Sequence, residues 1–424
     1  MRLFTQSHSD TTLVSKTSAS SLVRPGPGFA IGIILLFGLA SLGFYLGYTS
    51  QRDAVADFFI EWRGSQIALQ GDNPYSDETT RAIQIGSKGR LVGPGEDQLA
   101  FVYPYWRVFY AAPLVFLPYA WASAIWLGFL LAVYAASLYL LTLAQSWRPS
   151  TPLAGVAFCV GLLLMFPAFS ALMLGQAALL VAALLALVYY GLKSGAPGWA
   201  GVALALATVK PQLVLVLLPW LVLRAIGQKQ WRFLFGFGLT LSGLAGLSFA
   251  FYPAWLGQFI AVATRYPAYK KSLTGPGFLF EWLEASSNLP AWILWLALAL
   301  AGMWLAWREL RSGSQLFDRA FCAALVLTLL LPPQTNISNP AILALPLALL
   351  LAHLDKAKNI KLYYGLIVSL LFGSWLLYFL LYNNFYGLLI LSWPIAVGLI
   401  LWLGYRAKPT TTDKDKGLTN EAQA

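Results

Sequence analysis

Charge is what this chain lacks most. Of its 424 residues only 11% are charged, where a soluble domain carries about 25%, and 58% are hydrophobic. A water-soluble reading is therefore excluded. The basic excess of +11 would suggest nucleic acid in a soluble protein, but these basic residues sit mainly in short breaks between apolar runs, so no nucleic-acid partner is expected. Only two histidines and two cysteines are present. No Cys/His ligand set, GxxxxGK[ST] loop or GxSxG elbow occurs, so metal, nucleotide and serine-hydrolase chemistry lack support and no cofactor is expected. Cys159 and Cys322 fall inside apolar segments and read as packing residues, with no disulfide framework to infer for the loops.

Long apolar runs are abundant. Stretches of the roughly 20 residues a spanning helix needs recur from Phe29 to Leu403, which makes this one polytopic all-α membrane domain. The first run, Phe29 to Tyr48, is too long for a signal-peptide core and lacks a small-x-small cleavage site, so it reads as a retained helix. Every second connection is basic, through Arg24, Arg148, Lys193, Arg224 with Lys229 and Arg232, Arg308 with Arg311 and Arg319, Lys356 with Lys358 and Lys361, and Arg406 with Lys408. These are expected to be cytoplasmic, and both termini with them.

Counting segments on that alternation gives about twelve transmembrane helices. The organisation expected is a cytoplasmic tail over 1–27, a membrane domain over 28–405 and a second tail over 406–424. Within the domain, 49–118 forms a long first external loop with interfacial helices, and 253–289 forms a second one. Two places stay open. Phe101 to Leu117 carries Pro104, Arg107 and Pro113 and is expected to be interfacial or re-entrant; if it spans, the count becomes thirteen and the N-terminus changes side. Gly198 to Ile226 is a hairpin around Lys210-Pro211 or one bent helix, and charge parity favours the hairpin.

The external connections hold the unusual residues. Asp53, Asp57 and Glu61 recur at i, i+4 and i+8 beside Val55, Phe59, Trp62 and Leu69. This describes a helix on the membrane surface with a carboxylate stripe, stopped by Gly71 and the turn Asp72-Asn73-Pro74. A solvated face is the bland reading for Asp53 and Glu61, and a divalent cation along the stripe is a further alternative. Lys210 lies in a bundle where a charge is costly, so it calls for an anion or snorkels to the interface. Gln176, at the tight turn Leu174-Gly175-Gln176, either bonds a sugar hydroxyl or caps backbone. Arg265, Lys270 and Lys271 lie in an external loop against the positive-inside trend, either as a phosphate site or as a solvated basic loop. Pro332-Pro333 suggests irregular backbone lining a cavity.

The ordered set of acid-Phe (Asp57-Phe58), Gly71-x-x-Pro74-Tyr75, Phe101-x-Tyr103-Pro104 followed by Ala112-Pro113-Leu114, Leu174-Gly175-Gln176 and Ala207-x-x-Lys210-Pro211 resembles the motifs of glycosyltransferase family 87, the polyprenyl-phosphate-mannose-dependent mannosyltransferases. The resemblance implies a GT-C fold and an inverting hexose transfer at the external face of the cell membrane. The donor would be a polyprenyl-phosphate sugar, and the acceptor a lipid or glycan. It implies Asp57 as general base, Lys210, Arg265, Lys270 and Lys271 as contacts of the donor phosphate, and Glu61, Tyr75, Tyr103, Gln176, Gln212, Asn336 and Asn339 as substrate contacts. The chain departs from the family where a Ser-Pro-x-Ser-Trp and histidines often stand. It has Leu331-Pro-Pro-Gln-Thr-Asn336-Ile-Ser-Asn339 instead, so Asn336 or Asn339 would have to supply the hydrogen bonds. A transporter of lipid-linked sugars and a non-catalytic envelope-assembly subunit are the competing expectations.

Overall fold

The computed structural model describes residues 25–51, 55–269, 317–332, 335–383 and 386–404, with positions 297, 300, 303 and 304. Every regular element among them is helical. Four helices are long and apolar enough to cross a bilayer: Pro27–Gln51, Tyr119–Ala144, Trp231–Phe251 and Ile360–Leu381. A fifth crossing forms if Pro152–Leu164 and Phe166–Met173 are taken together across their 57° bend. Four further apolar helices are shorter, at 10–17 residues. Residues 290–307 lie mostly outside the described residues, as do both tails, Asp53, Lys270 and Lys271.

The chain begins with α1 (Pro27–Gly47), which turns most of its surface outward and packs on α5 (Tyr119–Ala144). Contact is close because Gly128 of α5 faces Ser41 and the α1 backbone, where no side chain would fit. Between them lie α2 (Ala56–Leu69), α3 (Asp77–Lys88) and the five-residue α4 (Arg107–Ala111). Five residues rise only about 8 Å, and 101–117 holds no helix long enough to cross a bilayer. Gly71, at φ +92°, ends the α2 region, and α3 is capped by Ser76, whose hydroxyl accepts from the Thr79 amide at 3.1 Å.

Next come α6 (Pro152–Leu164), α7 (Phe166–Met173), α8 (Ala178–Lys193), α9 (Pro197–Ala207), α10 (Leu217–Gly227), α11 (Trp231–Phe251) and α12 (Trp255–Tyr269). The apolar run from Pro152 to Met173 forms two helices, not one. The structure breaks it at Met165, whose ψ is 138°, two residues before Pro167, a residue suited to the first turn of a new helix. The centre is α8, apolar almost all round and packed between α5 and α9; a helix without a polar face belongs in a core. Gly198 and Gly201 of α9 lie against Arg232, Phe233 and Phe237 at the start of α11, so α9 and α11 set out from the same end. The intervening α10 must return to that end, which is the hairpin favoured by charge parity.

Candidate active site

Three elements bring the candidate residues to one end of α8. Asp57 stands in the first turn of α2. Gln176 occupies the turn between α7 and α8, and Lys210 follows α9, which runs antiparallel to α8 and so returns to the level where α8 begins. Gly175 makes the turn possible in two ways. Its φ of +69° is one that L side chains avoid, and a Cβ there would lie 2.9 Å from Cβ of Phe58 and 3.2 Å from Val55. A glycine therefore sets Gln176 directly against α2. The Gly175 carbonyl accepts from Nε1 of Trp126 at 2.8 Å, which ties the turn to α5.

The result is a relay of three side chains. Gln176 donates from Nε2 to the Asp57 carboxylate, and its Oε1 accepts from the Lys210 ammonium at 2.6 Å. The amide orientation is fixed by its neighbours, since only nitrogen can donate to a carboxylate and only oxygen can accept from an ammonium. Both bonds are charge-assisted, a stronger kind than those between neutral groups. Gln176 and Lys210 are buried, at 4% and 5% exposure, while Asp57 is half-buried. A carboxylate and a cation thus stand one amide apart at the edge of the bundle.

Aromatic residues enclose the acid. The Tyr119 hydroxyl donates to the Val55 carbonyl at 2.7 Å, just before α2. Burial holds the Tyr103 phenol well above its usual range, helped by the nearby Asp57 carboxylate, Tyr266 and Asp97, so Tyr103 stays a neutral O–H donor near the acid. Tyr266 comes from α12, which brings that helix into the surroundings of the site. Ring contacts of Tyr75 with Phe259 at 6.4 Å, Tyr105 with Tyr252 at 5.8 Å and Trp106 with Trp255 at 5.2 Å join the first loop to the end of α11 and to α12.

Other candidates are placed elsewhere. Glu61 corrects the expectation of an outward carboxylate stripe: it is fully buried and forms an ion pair with Arg107, also fully buried. The expected substrate contact would have to reach a carboxylate that is closed in against a guanidinium. The Arg107 guanidinium also lies 4.8 Å from the Trp126 ring, which supports Gly175. The sequence reading passed over Arg107, although a cation in a segment this apolar needs an anion near it. Tyr75 is 4% exposed and gives its hydroxyl to the Tyr103 carbonyl at 2.9 Å, so it braces the loop.

Gln212 is exposed and takes no part in the relay. Arg265 is exposed on α12, which occupies the expected loop up to Tyr269. Asn336 is half-buried. Asn339 is buried and donates from Nδ2 to Thr335 at 2.7 Å. It opens a short 3-10 turn, Asn339–Leu343, that packs on α7 and α8, and Asn339 Oδ1 has no hydrogen-bond partner among the described residues. No cluster of three or more His, Cys, Asp or Glu side chains able to share a metal ion occurs among the described residues.

An acid, an amide and an ammonium thus stand in series in an all-helical polytopic membrane protein. The comparison with known families makes this specific: the family model of glycosyltransferase family 87 matches residues 101–333, more than half of the chain, and the protein belongs to that family. It is a membrane glycosyltransferase. Gln176 and Lys210 lie inside the matched segment, whereas Asp57 precedes it. None of the curated proteins and none of the solved structures matches the chain.

Proposed function

We propose that the protein moves a hexose, mannose by resemblance, from a polyprenyl-phosphate donor to a lipid or glycan acceptor, with inversion, and that Asp57 is the general base. The Asp57 carboxylate takes the proton of the acceptor hydroxyl as that oxygen attacks the anomeric carbon. The bond from that carbon to the phosphate oxygen breaks on the opposite face, and the electron pair leaves with the polyprenyl phosphate. This leaving group departs as an anion and needs no proton, so one carboxylate suffices where glycoside hydrolysis uses two. Lys210, with Arg265, Lys270 and Lys271 as further cations, offsets the charge gathering on the phosphate. Asn336 and Asn339 contact the sugar or the acceptor.

What supports this reading is the Gln176 amide, which holds the base and the cation close without letting them neutralise each other. The same proposal puts the relay at the external face of the cell membrane, with about twelve crossings in a GT-C-like fold and both termini in the cytoplasm. The first test is transfer of radiolabelled mannose from polyprenyl-phosphate mannose to endogenous lipid, in membranes holding equal amounts of wild type and Asp57→Asn. We expect the variant to lose about 10²- to 10⁴-fold, the usual contribution of a general base. Equal product from both would remove Asp57 from the chemistry. Absence of wild-type product with this donor, but product with another polyprenyl-phosphate hexose, would change the sugar and keep the base.

A further inference from the structure

A groove of about 970 Å³ runs between the C-terminal half of α5 and the N-terminal half of α6. Its size lies at the upper end of the roughly 300–1,000 Å³ of small-molecule sites. Leu138, Tyr139, Val156, Cys159 and Leu163 line its length, and Trp147 and Arg148 close one end. The groove is remote from the relay, because α5 begins at Tyr119 beside Asp57 and reaches the groove only over its last turns.

The charged end is built rather than loose. The loop carrying Arg148 is held by the buried Asp355 carboxylate, which accepts from Nε1 of Trp147 at 2.8 Å, from the Ser150 amide at 2.9 Å and from the Ser150 hydroxyl at 2.6 Å. Three hydrogen bonds engage both oxygens of that carboxylate and fix Trp147 as a wall. Arg148 itself is exposed at the mouth, and no acidic side chain among the described residues lines the groove. An apolar channel with a guanidinium at its mouth is complementary to an acyl chain ending in a phosphate, and Arg matches a phosphate with two parallel donors.

We propose that this groove is a binding site for an anionic diacyl phospholipid of the membrane, its acyl chain along α5 and α6 and its phosphate on Arg148. The site is separate from the donor and acceptor sites and does not depend on the proposed reaction. Basic pockets between spanning helices bind anionic headgroups by the same physics. Cys159, exposed within the groove, is a built-in reporter, whereas Cys322 is buried.

The test uses full-length protein, delipidated in a neutral maltoside detergent, with maleimide labelling of Cys159 followed by peptide mass spectrometry. Dioleoyl phosphatidylglycerol is expected to slow labelling about fivefold more than dioleoyl phosphatidylcholine, equivalent to about 1 kcal/mol for one basic side chain at an anionic surface. Arg148→Ala should erase that difference, and Val156→Trp, which fills the groove, should reduce protection by either lipid. Equal protection by the two lipids, no protection, or a preference that survives Arg148→Ala would overturn the proposal. So would slow labelling without lipid that becomes fast when residues 1–24 are removed, since this would make the chain's own N-terminus the occupant.

Discussion

The two ends of α8 handle opposite charges differently. At the Gln176 end, Asp57 and Lys210 are joined through an amide and do not form an ion pair with each other. At the other end, Lys193 contacts Asp318 directly at 2.6 Å, and the same carboxylate accepts from the Tyr189 hydroxyl at 2.8 Å. Gln145 and Lys356 complete that cluster, Lys356 donating to the Gln145 carbonyl. A direct pair fastens helices and consumes both charges. A spaced pair holds a base and a cation close together through one shared amide. The Glu61–Arg107 pair, one helical turn from Asp57 on α2, belongs to the fastening kind despite its position beside the site.

If that distinction is right, the largest loss of stability should come from Glu61→Gln or Arg107→Met alone. Either change strands a buried charge or polar group at a cost of about 3–5 kcal/mol, and the double variant Glu61→Leu with Arg107→Met should recover much of it. Thermal unfolding in detergent measures this, and a double variant as unstable as the singles would show that the pair is more than a fastener. Gln176→Leu comes next. It removes hydrogen bonds to two charged groups, and transfer activity should fall roughly 10- to 100-fold, about 1.4–2.7 kcal/mol of transition-state stabilisation, with a smaller fall in melting temperature than the Glu61 or Arg107 single variants show. A melting temperature that falls in step with activity would place Gln176 among the structural contacts. The smallest effect belongs to Asp318→Asn. The Lys193–Asp318 pair is about 30% exposed, where such pairs contribute about 0–1 kcal/mol, and activity should stay within twofold. A large loss of activity there would dissolve the contrast between the two ends.

Much of this was legible along the chain because it depends on near neighbours. The apolar runs of α1, α5 and α11 announce themselves by length, Gly71 marks the end of the α2 region, and alternating basic connections favoured the α9–α10 hairpin. Asp57, Gln176 and Lys210 stood out individually as polar groups at the ends of apolar segments within family-like motifs. The break at Met165 was signalled by Pro167, but the surrounding run is apolar enough to hide it. Arg107 was visible only as an interruption, since its partner is 46 residues away.

Asp57 and Glu61 show where the boundary lies. Their spacing of four residues puts both on one face of a helix, and helical periodicity alone does not distinguish the two carboxylates. Composition and periodicity suffice for a membrane bundle and for the helix beneath them, because burial of apolar surface and the helical repeat act over short stretches of chain. Which acid is sealed in and which stays half-open depends on Arg107 arriving from one segment and Gln176, 119 residues from Asp57, arriving from another. Only packing α2 against α4, α5 and the Gly175 turn brings those partners within hydrogen-bond reach, so the chemical difference between two equivalent carboxylates is a product of the tertiary fold.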